Sequence, residues 1–237
     1  MIMAGRRVSR TALRPRGILF SLRHGLRWGD LPQALGYGSG VTCWRRLRLW
    51  QELGIWTMLH QVVLNWLGDV DGIDWSRASV DSICVRAKRG GEHTGPSPVD
   101  RGKKGSKYHC LVDRQGVPLA IQLTAANVHD SKLLEPLLDA VRPIRRPIGE
   151  PGRPRQRPAK LHADKGYDFP EKRRALRKRG ITPRIARRGV ESSERLGRVR
   201  WVVERTQGWI VAFRKLAIRF DRQAASVLAF LHLACRG

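Results

Sequence analysis

The chain has 237 residues, 41% of them hydrophobic, which is enough for one large domain or two small ones with a real core. Its 46 Lys and Arg stand against 20 Asp and Glu, a formal charge of +26. That surplus excludes an ordinary metabolic enzyme as the first reading and favours a polyanionic partner such as DNA, RNA or an anionic membrane surface.

A membrane span is not expected, because no segment approaches the roughly 18–20 uninterrupted apolar residues it needs. The N-terminus, MIMAGRRVSRTALRPRG, is basic and lacks the apolar core of a secretory signal. Cys43, Cys84, Cys110 and Cys235 lie far apart, with no CxxC and no Cys/His cluster. Reduced thiols in a cytoplasmic protein are the expectation, and a zinc finger is not.

In chain order, residues 1–75 form a helical N-terminal region. Trp28, Trp44, Trp50, Trp56, Trp66 and Trp75 all fall here. From Val41 to Leu67 the apolar residues Leu47, Trp50, Leu53, Leu59, Val62, Val63 and Trp66 recur at helical spacing, and a Trp stripe of this kind is read as core. Asp30-Leu31-Pro32 and GYGSG mark turns. From Ala78 the pattern changes to strands, beginning with Ser79–Val85. A Gly-, Pro- and Lys-rich loop, Lys88 to Lys107, is expected to be mobile. Residues 108–112 and 117–123 flank Asp113-Arg114-Gln115-Gly116, a hairpin signal. A helix is predicted over Ser131–Val141 with Asp130 or Ser131 as N-cap, then an exposed Pro/Arg/Gly linker over 142–158. Lys160–Asp164 reads as a buried strand, Pro170–Arg179 as a basic helix with Asp168 as its cap, and Ile181–Ile185 as a short strand. Glu194–Lys215 reads as one helix with Val199, Val203, Ile210 and Phe213 on its apolar face, and Ala224–Cys235 as the last helix. Residues 76–237 thus predict an α/β domain, a mixed sheet flanked by helices, preceded by the small helical subdomain.

So cationic a chain has few acids, and those inside apolar segments are informative because a buried carboxylate needs a cation or hydrogen bonds. Asp81 interrupts the first strand, Asp164 ends a later one, and Glu204 lies in a helix. If the two strands are neighbours and the helix crosses their edge, the three carboxylates converge. Such a site suits Mg²⁺ or Mn²⁺, which prefer oxygen ligands. Two such ions activate a water or 3′-hydroxyl and stabilise the leaving oxygen of a phosphodiester. The spacing leaves the simpler alternatives open: Asp81 bonding a neighbouring turn, and Glu204 pairing with Arg200 on a solvated helix face.

Ser79-Val80-Asp81-Ser82, Gly105-Ser106-Lys107-Tyr108-His109, residues 123–131 (LTAANVHDS), Ala163-Asp164-Lys165-Gly166-Tyr167-Asp168 and Arg200-Trp201-Val202-Val203-Glu204-Arg205-Thr206 occur in this order. Together they resemble the DDE transposases of bacterial insertion sequences, most closely the insertion-sequence-five family, from about Gly17 onward. The resemblance implies an RNase H-like catalytic domain with Asp81, Asp164 and Glu204 as catalytic residues and ligands of two Mg²⁺ ions, for which Mn²⁺ substitutes. It implies cleavage at terminal inverted repeats and transfer of the 3′-hydroxyl to target DNA; because two ends must be joined, a homodimer on DNA is expected. Arg200 matches the Arg of the family's Tyr–Arg–Glu–Lys signature, with a role in contacting DNA or orienting Glu204. Gly197 stands at the Tyr place and Val211 at the Lys place, with Arg205 and Arg214 as candidate replacements for the cation. Only 16 residues precede Gly17, fewer than the resemblance leads one to expect, so an N-terminally shortened copy is expected. A non-catalytic DNA-binding protein and a simple RNase H-like nuclease are the competing readings.

Among the supporting residues, Asn127, His129 and Asp130 either support the metal site or contact DNA, or merely connect strand to helix. Lys107, on the second strand with His109, is a candidate phosphate contact. Lys165 and Tyr167 flank Asp164 and are placed near the DNA backbone, and His162 is read as a packed strand histidine. The stretch from Lys172 to Arg200 holds 12 Lys or Arg against Glu171, Glu191 and Glu194, an imbalance that favours DNA contact by Arg187, Arg188 and Arg200, with Arg205 just beyond it as a further candidate.

Overall fold

The computed structural model describes residues 10–187 and 193–235, with side chains over 13–187 and 200–235. Arg188 and the side chain of Val199 lie outside these limits. Three helices come first: α1 (Arg10–His24), α2 (Gly40–Glu52) and α3 (Ile55–Asp69). Ser39 caps α2 by accepting from the Thr42 amide at 3.2 Å. Gly54, at φ 70°, turns the chain between α2 and α3, a conformation that disfavours any side chain. The apolar run predicted from Val41 to Leu67 is therefore two helices. Its Trp residues divide: Trp56 and Trp75 are buried, whereas Trp66 is 61% exposed.

The sheet follows. Strands β1 (Ala78–Arg86), β3 (Lys104–Asp113) and β4 (Pro118–Ala125) form an antiparallel meander, with the two-residue β2 (Gly95–Pro96) added to β3. Beyond β1 lie β5 (Lys160–Ala163) and β6 (Thr182–Ile185), both parallel, giving the order β4-β3-β1-β5-β6. Helices α4 (Leu134–Ala140), α5 (Pro170–Lys178), α6 (Ser193–Ala212), α7 (Arg214–Ala217) and α8 (Ala224–Ala234) complete the chain. The fold is a mixed α/β sheet flanked by helices, as the alternating patterns require.

Two cores cover the two faces. On one, Val85, Tyr108, Cys110, Val112 and Ile121 pack with residues of α1, α2, α6 and α8; on the other, Val80, Leu111, Leu161 and Ala163 pack with residues of α3, α4 and α5. The N-terminal helices share the first core, since Ile18, Leu22, Cys43 and Leu47 lie in it beside Val203 and Phe230.

Several local expectations are corrected. The helix predicted from Ser131 begins as a 3-10 turn, Asp130–Leu133, capped by the His129 side chain, and Asp130 bonds elsewhere. Asp168 pairs with Arg173 at 2.7 Å and leaves the cap of α5 to Phe169. The predicted single helix 194–215 breaks at Phe213, which opens α7. The 142–158 segment is not wholly exposed: Ile144 is buried and exchanges backbone hydrogen bonds with Arg155. The four cysteines are free thiols.

The hairpin between β3 and β4 rests on one carboxylate. Asp113 is buried; its Oδ1 accepts from the amides of Gln115, Gly116 and Val117 at 2.8–2.9 Å, and its Oδ2 from that of Asp74 at 2.8 Å. It fastens the turn to the segment entering β1. Asp113→Ala leaves these amides unsatisfied and is expected to cost about 3 kcal/mol, with Asp113→Asn costing less, as read from urea unfolding.

Candidate active site

The site is built on the parallel pair at the middle of the sheet. Ala78 lies opposite Leu161 and Ser79 opposite His162. Carried forward, that register sets Asp81 level with Asp164, both on the face that α6 crosses. Asp81 Oδ1 accepts from the Ser82 amide at 2.8 Å, and Asp164 Oδ1 accepts from the Gly166 amide at 2.9 Å, so the turn after β5 fixes the second carboxylate. Both are ordered by their own backbone before any ligand is considered.

A cation stands between the acids. Arg200 Nη2 donates to Asp81 Oδ2 at 2.6 Å and lies 3.9 Å from Glu204 Oε1, one turn on along α6. Burial raises the Asp81 pKa above the usual carboxylate range, Arg200 opposes that rise, and Asp164 adds to it. Burial works against the Arg200 charge, but Asp81, Asp164 and Glu204 together hold its pKa above the ordinary value. Glu204 itself is 60% exposed on its side chain. The guanidinium thus bridges the first and third carboxylates within reach of the second's field.

Around this centre lies a second polar layer. Asp130 Oδ1 accepts from Lys107 Nζ and from Ser82 Oγ, both at 2.9 Å, and Lys107 also donates to the Val128 carbonyl at 3.0 Å. Lys107 is therefore engaged inside the protein. His109 is fully buried, its Nε2 2.7 Å from Thr124 Oγ1 and its Nδ1 3.9 Å from Asp130. Tyr167 is buried with its hydroxyl lacking a hydrogen-bond partner; burial, then Asp130, Asp81 and Asp164, push its pKa well up, so it stays protonated. His129 bonds Ser131 at 2.8 Å and meets Phe169 edge-on. Asn127 is exposed, its Oδ1 so close to Gly95 that a Cβ there would collide.

The other predicted contacts lie outside this cluster. Arg205 stacks on Trp201 at 4.8 Å and donates to the Gln115 carbonyl, at the hairpin turn. Lys165 opens the turn after Asp164, and Arg187 is exposed beyond β6. Of the candidate replacement cations, neither Arg205 nor the exposed Arg214 pairs with Asp81; Arg200 does. Two contributors escape the sequence reading. Ser82 and the direct Arg200–Asp81 bond follow from strand register and helix crossing, and the sequence signal for the latter is only the four-residue spacing of Arg200 and Glu204.

All the acidic donors are oxygens, the choice of a hard divalent cation, and the unpartnered Tyr167 hydroxyl beside them is a donor awaiting an acceptor. In kind, the residues fit such an ion at Asp81 and Asp164. Among the described residues no group of three His, Cys, Asp or Glu side chains stands close enough to hold one, and Arg200 occupies the space between.

Comparison with known proteins bears on this geometry. Residues 76–236 match the family described as Transposase DDE domain, and residues 4–60 match a family of transposases of the IS4/5 type. A protein named as transposase for insertion sequence element IS402, from Burkholderia cepacia, is 54% identical over 142 residues, 60% of this chain and 66% of that protein. An uncharacterized 16.2 kDa protein of insertion element IS402, also from Burkholderia cepacia, is 56% identical over 82 residues, 35% of this chain and 56% of that protein. A transposase for insertion sequence element IS1106, from Neisseria meningitidis serogroup B, is 29% identical over 116 residues, 45% of this chain and 35% of that protein. The chain thus spans less than two thirds of the length of each of these relatives.

Two outcomes are expected. Arg200→Gln leaves the acids uncompensated, so it should lower the metal-free melting temperature, and added Mg²⁺ should raise that temperature more in the variant than in the parent, by calorimetry. Burial, the first cause in each case, lowers the pKa of both His109 and His162 to about 4. The unfolded chain takes up these protons first as pH falls. Stability present above the ordinary histidine range, about 6.5, should therefore decline between there and about 4, and His109→Gln should reduce the decline in urea unfolding across that window.

Proposed function

The chain belongs to the Transposase DDE domain family, and from that premise we propose that it is the transposase of an insertion sequence, cutting DNA at terminal inverted repeats and joining the freed 3′-hydroxyl to target DNA. The observation that carries this reading is the placement of Asp81 and Asp164 level on adjacent parallel strands, with α6 bringing Glu204 onto the same edge. The strand order β4-β3-β1-β5-β6, an antiparallel meander extended by two parallel strands, supports an RNase H-like catalytic domain over residues 76–237, after the helical region 1–75.

Asp81 and Asp164 would hold Mg²⁺, or Mn²⁺ in its place, with Glu204 as third ligand. Two such ions, when bound, supply a polarised nucleophile and charge stabilisation at the leaving oxygen. The protein's own part is positional. Ser82 and Gly166 amides orient the two aspartates, and the Lys107–Asp130–Ser82 chain braces the strand that carries Asp81. Tyr167 offers a protonated hydroxyl to an oxygen acceptor in the cluster. Arg200 neutralises the acids and is a cation within the cluster for a phosphate arriving there. Lys165, Arg187 and Arg205 then track the backbone, with Arg188 beside them in sequence. A homodimer pairs the two element ends. No helix among the described residues is long and apolar enough to cross a membrane, and we place the protein in the bacterial cytoplasm, on the nucleoid when bound.

One observation favours a second reading, a transposase-derived DNA-binding protein that does not cut: Arg200 sits in the acidic cluster and Glu204 points largely into solvent. A labelled element end incubated with and without Mg²⁺ separates the two. Metal-dependent nicking by the parent protein, abolished by Asp81→Ala, Asp164→Ala and Glu204→Ala with DNA binding retained, is the expected result. Retention without nicking would establish the second reading, and nicking by all three variants would overturn the assignment of the site.

A further inference from the structure

Away from the carboxylates, a cleft of about 650 Å³ opens between α2, the loop after β1 and the segment joining α7 to α8. Trp44, Arg89, Phe220 and Arg222 line it. Phe220 is 43% exposed, with Lys88 Nζ 5.7 Å from its ring centre, and Arg48 lies 5.0 Å from the centre of the Trp44 ring. Two acids, Glu92 and Asp221, also line it, and both are engaged. Glu92 accepts from the Ala224 amide at 2.8 Å, and Asp221 lies 3.7 Å from Lys215. The cleft therefore presents two aromatic rings, each with a cation beside it, and with Arg89 and Arg222 these cations outnumber the two acids.

Its walls are held with unusual care for a surface loop. Arg219 is 1% exposed and is among the largest fully buried side chains. It donates to the Asp221, Arg222 and His93 carbonyls at 2.8, 3.0 and 3.1 Å and to Ser106 Oγ at 2.7 Å. Backbone bonds from Lys88 to Arg219 and from Glu92 to Arg222 close the same seam. Gly91, at φ 120°, lies so close to the Arg222 backbone that a Cβ would stand 2.2 Å from its carbonyl oxygen. A buried guanidinium given over to neutral acceptors is costly. What it secures here is the placement of Lys88, Arg89, Phe220 and Arg222, in a loop whose sequence alone suggests mobility.

We propose that this cleft binds unpaired DNA, one base stacking on Phe220 beside Trp44 while Lys88, Arg89 and Arg222 hold the adjoining phosphates. Its volume matches a site for a small organic group, not for a duplex. Exposed rings among cations take bases only when those bases have left the duplex stack, and they do so without regard to sequence. The position fits a strand leading to the catalytic acids. Ala87, which bridges to Arg219, lies six residues beyond Asp81, about 20 Å along an extended strand. In that last respect the inference rests on the transposase reading: the bound segment is DNA opened beside the cut.

The test measures binding of a labelled oligothymidylate and of a labelled duplex of equal length, by fluorescence anisotropy in EDTA at one salt concentration. Phe220→Ala and Phe220→Leu should each weaken oligothymidylate binding by roughly tenfold while leaving duplex binding nearly unchanged. Phe220→Trp should retain it. Phe220→Leu keeps the apolar bulk, so its loss reports stacking, not folding. Unchanged single-strand affinity in the Leu variant, or equal losses for both DNAs, would overturn the proposal. The assay is run without metal and reads no cutting, so a failure of the cleft is read here and a failure of the cutting assignment in the nicking experiment above.

Discussion

The Arg200–Asp81 ion pair is the interaction on which the site depends. A chain with this surplus of positive charge gains little from one more exposed Arg. It gains much from one placed where two strand-borne carboxylates would otherwise repel each other at low solvent exposure. The sheet supplies the acids, because parallel pairing of β1 and β5 sets Asp81 and Asp164 at the same level on the same face. Helix α6 supplies the cation and the third acid together. The remaining polar residues of the region, Ser82, Asp130, Lys107 and Tyr167, are arranged around that charge balance.

Much of this was legible in the sequence. Asp81, Asp164 and Glu204 stand out because acids are scarce and these three lie in apolar segments. The strands were legible from alternation and β-branched content, and the hairpin from its Asp and Gly. Less legible was anything set by packing between distant segments. Lys107 reads as a phosphate ligand until Asp130, brought over by the 3-10 turn, claims it. Asp168 reads as a cap until Arg173, five residues on, engages it. Trp66 has the same helical spacing as Trp56, but only the latter faces the core, where its indole donates to the Leu47 carbonyl at 2.9 Å. Periodicity states that a stripe exists; the neighbours decide how much of it is covered.

The loop between β1 and β3 makes the same point in reverse. Its Gly, Pro and Lys content describes a chain without preferences of its own. The structure gives it shape from outside, through Arg219, a residue more than a hundred positions later. Local composition reports what a segment cannot do alone, and a buried donor from elsewhere can supply what is missing.

Helix α6 carries a further consequence. Thr206 donates to the Gly116 carbonyl at 2.8 Å and Arg205 donates to the Gln115 carbonyl, so the helix is pinned to the β3–β4 turn just beyond Glu204. With the backbone of α6 held there, Arg200 and Glu204 cannot trade places at Asp81 by sliding or rolling the helix. Only their side chains are free to rearrange. Any rearrangement of charge around Asp81 is then a matter of side-chain rotamers and not of the slower motions of whole elements, and Arg200, only 18% exposed and ion-paired, is the side chain that must give way. The frame of the centre is fixed by backbone contacts, and only the side chains on it are adjustable.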